Sequence, residues 1–410
     1  MNTERAVFPI DLTDPEFLTG DRTSAYKRLR ESGAAIRLAH GPDFDTWVLS
    51  RHADAREILR LPRGRVQPVG TDAPAWLEQG PALDRLRANL VQLDDPGHAR
   101  LRKLVGPMFI PRRVEEFRRF ATASVDRAIA KATASNDVLD AVRELAVDIP
   151  RGVICQFLGI PEDDWVRLTE NQHDFLLIFS PVPLDHEGMS RLNAITDFYM
   201  KYFDEFLNSR ALRAHTPFVR LLLEAEQAGE LSRTETLSLV HTILDAGYET
   251  TRTSISNLIE MLGQRRKVFD TLRTNPDAVP AAVDELLRFK TPLHVRERYL
   301  VEDLAASDGT VIPGGSRVLV MIAAANRDPA VFVDADRFDL RRGNANAHLA
   351  FGGGMHHCLG APIARIQLQE TIRGLTSAFD RIEIAEPGRR LPDLIFPALT
   401  SLPVVLHRAA

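Results

Sequence analysis

From Ser232 to about Arg265, apolar residues recur three and four apart without a break, the repeat of a single long helix. Ser232-Arg-Thr-Glu235 supplies a capping box at its start, serine at the N-cap and glutamate three residues on. At about 1.5 Å per residue the helix spans roughly 50 Å. A helix of that length in a globular chain has to cross the interior, so the remaining elements must pack around it. Its middle, Ala246-Gly-Tyr-Glu-Thr-Thr251, is locally poor helix. Gly247 costs about 1 kcal/mol relative to alanine, and paired threonines are stiff and bond back to the preceding turn. Ile243, Ala246, Gly247 and Thr250 fall on one face. Small residues there leave room for a flat group with a diatomic ligand beside it, or form a notch for another helix.

The same periodicity predicts helices over 113–134, 140–158, 192–212 and 278–289. Short strand-like runs lie at 35–38 and 46–49, flanking a turn at 40–43, and again at 298–301, 317–320 and 402–406. The expected fold class is mainly α with small β-sheets (α+β). Apolar residues continue through the proline- and glycine-rich connections 61–81 and 180–188, so these read as long surface loops. Residues 1–410 then form a single domain. A composition of 44% hydrophobic and 26% charged residues is that of an ordinary globular protein. A net charge of −5 argues against nucleic acid as a partner. No leader pattern and no apolar run long enough to span a membrane are present, which points to a cytoplasmic protein. Two cysteines in a chain of 410 residues cannot make a disulfide framework. Cys155 lies in an apolar stretch and reads as packing, and no zinc-type spacing surrounds either one.

Cys358 is different. It ends Phe351-Gly-Gly-Gly-Met-His-His-Cys358, and Leu-Gly360 and Pro362 lead into an apolar, arginine-bearing run. The order is loop, cysteine, helix. Glycines let the backbone pass close to a flat object, and Pro362 suits a first helical turn. A cysteine at that point feels unpaired amides and the positive helix end, which favours thiolate. A thiolate so held is a good axial ligand for haem iron.

The pattern Phe-x-x-Gly-x-x-x-Cys-x-Gly resembles the haem-ligand loop of the cytochrome P450 family at every fixed position. Ala-Gly-x-Glu-Thr-Thr resembles that family's oxygen-activation motif, and Glu285-x-x-Arg288 its structural pair. The resemblance runs from about Asp94 to the end, with the motifs in the family's order. Tyr248 stands where histidine is common, and His357 is an additional histidine in the loop; neither removes a group the chemistry needs. The resemblance implies the family's helix-rich fold, with haem b (iron protoporphyrin IX) between the long helix and the loop bearing Cys358, its metal ligand. Thr250 and Glu249 would be the catalytic pair, the hydroxyl holding dioxygen or an ordered water and the carboxylate passing protons inward. Ala246 and Gly247 would touch the haem, while His98, Arg102, Arg298, His348 and His356 would hold its propionates. Arg337 would complete the structural pair Glu285 and Arg288.

The implied activity is a monooxygenase acting in secondary metabolism, with hydroxylation or epoxidation of a medium-sized, largely apolar substrate. With no flavin or nicotinamide domain in the chain, electrons would come from ferredoxin and a ferredoxin reductase, docking where Arg102, Lys103, Arg112 and Arg113 offer positive charge. Two alternatives keep the haem: a peroxide-driven peroxygenase, against which the Glu249–Thr250 pair stands, and a non-catalytic protein for gas binding or electron transfer. Substrate walls are expected from 61–93, 173–192, 291–295 and 396–401, with Ile243, Ala246, Val295 and Leu399 as contacts. The substrate is either free or tethered to a carrier protein.

Overall fold

A computed structural model of the chain describes residues 10–40, 45–60, 64–133, 138–170, 172–180, 183–209 and 214–409. The long helix runs Arg233–Gln264 and is buried on every side along most of its length. Ser232 and Glu235 form the capping box in both directions, the Ser232 N–H donating to the Glu235 carboxylate at 2.8 Å. Around it pack the helices Pro111–Ala132, Asp148–Leu158, His186–Asn208, Val279–Phe289 and Ala361–Ala378. The last of these lies along Pro111–Ala132 so closely that a Cβ on Gly374 would collide with Val125.

The expected helix over 140–158 is broken. Leu139–Asp140 is a strand, Val142–Ala146 is a π-helical turn, and the α-helix begins at Asp148. Pro150 has no N–H for the carbonyl of Ala146, and the wider turn, with Val147 N donating to Val142 O at 2.9 Å, absorbs the mismatch. Apolar spacing continues through this region, so periodicity alone could not show the break. The helix expected from 192 begins earlier, at His186, because Asp185 caps it by accepting from Gly188 N at 2.8 Å. Residues 41–43 of the expected turn, 134 and 210–212 of the expected helix ends, and 61–63 and 181–182 of the two loops lie outside the described residues.

A five-stranded sheet takes the order Ala35–His40, Asp45–Leu49, Arg317–Met321, Val295–Leu300, Gly64–Arg65. Asp45–Leu49 runs parallel to Arg317–Met321, Thr46 opposite Arg317, and so ties the first fifty residues to the last hundred. A three-stranded sheet joins Leu139–Asp140, Pro403–Arg408 and Phe379–Ile384. The sequence reading had no strand at 379–384. The architecture is mainly helical with small sheets, and no described helix is long and apolar enough to cross a membrane.

Candidate active site

The loop 351–360 is folded back on itself, with Cys358 N donating to Phe351 O at 2.9 Å. Gly352 (φ 69°) and Gly354 (φ 61°) take left-handed conformations that favour glycine. A Cβ on Gly354 would stand 2.7 Å from Leu59 O and 2.8 Å from Arg60 Cα. Gly354 therefore serves the close approach of the loop to the helix His52–Arg60 as well as its turn, and Gly352 serves the turn. The helix Ala361–Ala378 starts immediately after, with Pro362 in its first turn. Its leading amides, Gly360 and Ala361, bond to the Cys358 sulfur. Burial nevertheless pushes the thiol up, against those amides and the pull of Arg296 and Arg102. The amides and arginines act in the direction that the order of loop, cysteine and helix implies, with desolvation opposing them, and a metal bound to the sulfur would displace the proton.

Cys358 opens into a cavity of about 410 Å³ whose far wall is the central helix, through Ile243, Ala246, Gly247 and Thr250. Thr250 bonds back as its stiffness implied, Oγ1 donating to Ala246 O at 2.9 Å. Gly247 lines the cavity but also gives up its Cβ space to Ile154, whose Cδ1 would stand 2.7 Å from that atom. Glu249 is buried and turned away from the cavity, in a short ion pair with Arg252; Arg252 also donates to Leu399 O at 3.1 Å.

Basic groups gather at one edge. His98, Arg102, Arg298 and His356 all line the cavity. The rings of His98 and His356 lie 4.1 Å apart, and the buried Nε2 of His356 has no hydrogen-bond partner among the described residues. Burial and the neighbouring Arg298 push His356 down to about 2, and burial with Arg102 pushes His98 down, so both rings are neutral. Arg102 donates to His357 O at 2.7 Å, and burial beside Arg296 lowers Arg298 to about 10. His348 is not part of this edge. Its Nδ1 accepts from Ala350 N at 3.2 Å and its Nε2 lies 3.6 Å from Asp284, which turns the ring away from the cavity towards the helix Val279–Phe289.

The structural pair is completed by a different arginine from the one expected. Glu285 accepts from Arg288 Nε (2.7 Å) and Nη2 (2.8 Å), and from Arg342 Nε at 3.1 Å to both carboxylate oxygens. Arg337 is exposed and contributes only its carbonyl, to Arg288 and Arg342 at 3.1 Å each. The backbone folds back after Asp334 (φ 49°), which brings Arg342 and not Arg337 over Glu285. Leu399 also departs from expectation: it is buried in the core behind the central helix and does not reach the cavity, where Ile395 lies instead. Val295 does line it, as do Trp76, Leu86 and Leu90 from the first expected wall and Ile178 and Phe179 from the second. Arg296 was missed. Its signal was alternation, since residues two apart on a strand share a face and Arg298 was already assigned.

The donor set suits a flat metal-bearing cofactor with two acidic arms: one sulfur on the wall, small residues opposite, and basic side chains at one edge with an unpartnered buried nitrogen. The family model described as Cytochrome P450 matches residues 21–386. The chain is 34% identical over 375 residues to the mycinamicin IV hydroxylase/epoxidase of Micromonospora griseorubida, covering 89% of this chain and 90% of that one. It is 32% identical over 380 residues to the nocardicin C N-oxygenase of Nocardia uniformis subsp. tsuyamanensis, covering 91% and 92%. The crystal structure of CalO2 superposes with a TM-score of 0.89 at 28% identity, covering 98% of this chain and 100% of that one.

Proposed function

We propose that this chain, which belongs to the cytochrome P450 family and is a haem-thiolate monooxygenase, works as one domain that inserts one atom of dioxygen into a medium-sized, largely apolar organic substrate, with electrons from a separate ferredoxin and its reductase. The observation that carries this reading is the convergence of Cys358 and Thr250, from elements more than a hundred residues apart, on one cavity. Haem b bound there, with Cys358 as proximal ligand, supplies the activation of dioxygen.

The chain's own groups do the rest. Arg102, Arg298, His98 and His356 hold the propionates, through charge from the arginines and donated N–H bonds from neutral imidazoles. Thr250 Oγ1 rests on the Ala246 carbonyl and can rotate to present a donor and acceptor inside the cavity. Glu249 is the carboxylate behind it, and passing a proton inward requires it to leave Arg252, which keeps a second hold on Leu399 O. The apolar walls exclude water and bind the substrate body. Relatives named for hydroxylation, epoxidation and N-oxygenation support a role in secondary metabolism. Lys103, Arg112 and Arg113 are exposed and offer positive charge to an acidic ferredoxin. The one thiol besides Cys358, Cys155, is buried, which supports a reducing, cytoplasmic setting.

The test compares turnover of one bound substrate with hydrogen peroxide alone against turnover with ferredoxin, reductase and NAD(P)H. The reading predicts that the carrier-driven rate is faster by at least about tenfold, because a built proton-delivery pair is needed only when dioxygen is reduced. Equal or faster peroxide-driven turnover would make the enzyme a peroxygenase.

A further inference from the structure

We propose that Thr242 is a specificity-determining residue, donating a hydrogen bond to a carbonyl or ether oxygen on the substrate's otherwise apolar body. This rests on the haem-thiolate reading above. Thr242 lines the cavity from the central helix, one turn before Ala246 and two before Thr250. Its side chain does not meet the basic edge that suits the cofactor's acidic arms. It bonds instead to Arg85 and Asn89, and the residues next to these in the chain, Leu86 and Leu90, line the cavity's apolar side. Arg85, Asn89 and Thr242 are all buried. The hydroxyl therefore sits at the seam between the central helix and the segment that walls in the substrate.

The bonds around this hydroxyl leave its proton available. Thr242 Oγ1 accepts from Arg85 Nη2 at 3.4 Å and donates to Asn89 Oδ1 at 3.2 Å. The second distance is long for an O–H···O bond, commonly about 2.7–2.8 Å. Asn89 Oδ1 also accepts from Val91 N at 2.9 Å. That bond fixes the amide's orientation and keeps the oxygen satisfied when the Thr242 proton turns elsewhere. Arg85 has no such alternative: its Nε and Nη1 lack hydrogen-bond partners among the described residues. Its guanidinium carbon lies 4.0 Å from the centroid of the Phe175 ring, and Thr242 takes its side-chain hydrogen bond. Burial lowers Arg85 only to about 10, so it stays cationic at neutral pH. A hydroxyl that accepts from a cation is a stronger donor. A carbonyl or ether oxygen, which can only accept, matches it. The anchor stands about 6 Å along the helix from Ala246, and so sets how far from the held oxygen the oxidised carbon lies.

The experiment uses the haem-loaded enzyme and ω-imidazolyl alkyl methyl ketones of increasing chain length. Each is paired with the hydrocarbon in which CH₂ replaces the carbonyl. The imidazole binds iron in every case, so the absorption shift reports affinity without knowledge of the natural substrate. In the wild type, the ratio of ketone to hydrocarbon affinity should peak at one chain length, at least about fivefold above the shortest and longest pairs. Thr242→Val, which exchanges the hydroxyl for a methyl, should flatten that peak while leaving haem content unchanged and hydrocarbon affinity within about twofold. Thr242→Ala should flatten it too, and Thr242→Ser should keep it. A ratio without a peak in the wild type, or a peak that survives in T242V or T242A, would overturn the proposal. The reduced carbon monoxide spectrum of the wild-type enzyme, taken on the same samples, separates these outcomes from failure of thiolate ligation itself.

Discussion

Thr250 spends its hydroxyl on the Ala246 carbonyl in the resting helix, so removing it leaves no buried group unsatisfied in the fold. Thr250→Ala should therefore fold and bind haem normally but send reducing equivalents to hydrogen peroxide. Product formed per NAD(P)H consumed should fall at least about tenfold, and unchanged coupling would mean that another hydroxyl carries the protons. One turn before Glu249, Asp245 is buried, and its Oδ1 has no hydrogen-bond partner among the described residues. Burial pushes its carboxyl up to about 7, with Arg85 pulling down and Glu249 pushing up. Its folded-state pKa lies above the ordinary carboxylate value, so the folded protein binds the extra proton between about pH 4 and pH 7 and loses that stability as pH rises through this window. Asp245→Asn removes the dependence. Measured by denaturant unfolding, the variant should gain on the wild type between pH 5 and pH 8 by up to ~3 kcal/mol; parallel curves would contradict this. At this scale the sequence showed Cys358 and Thr250 because fixed spacing identifies them. It did not show which way His348 or Leu399 points, since neighbours distant in the chain decide that: Asp284 for one, the packing behind the central helix for the other.

The segment from Val279 to Arg342 is held by a buried carboxylate between two arginines. Arg288 and Arg342 both meet Glu285, and both also donate to carbonyls of the 333–337 turn. Removing one partner of such a group leaves the others buried and undercompensated. Arg342→Ala should destabilise the fold by about 3 kcal/mol. Arg337→Ala removes only an exposed side chain and should cost less than about 0.5 kcal/mol. Equal losses, read from chemical denaturation of both variants, would return the role to Arg337. The pair Glu285–Arg288 was legible because three-residue spacing on a helix guarantees proximity, whereas the third member comes from an irregular turn whose path no periodicity records. The same contrast separates the helix Arg233–Gln264, whose cap and repeat fixed both ends, from 140–158, where Pro150 broke a repeat that the apolar residues continued.

Across the whole molecule, the site is a product of long-range closure. The parallel pairing of Asp45–Leu49 with Arg317–Met321, the loop 351–360 against the helix His52–Arg60, and the helix Ala361–Ala378 along Pro111–Ala132 bring the cysteine under the central helix. The mainly helical class and the order of motifs were readable from the chain, but that closure was not, because strands of five or six residues pair by contacts that local pattern does not encode. A cofactor gripped by elements from both halves should also stabilise the fold. The most direct test of the account is the absorption spectrum of the purified, haem-loaded protein, reduced under carbon monoxide, for the wild type and Cys358→Ala. The account predicts the strongly red-shifted Soret band of thiolate ligation in the wild type and its loss in the variant. Haem bound without that band in the wild type, or the band persisting in the variant, would contradict it.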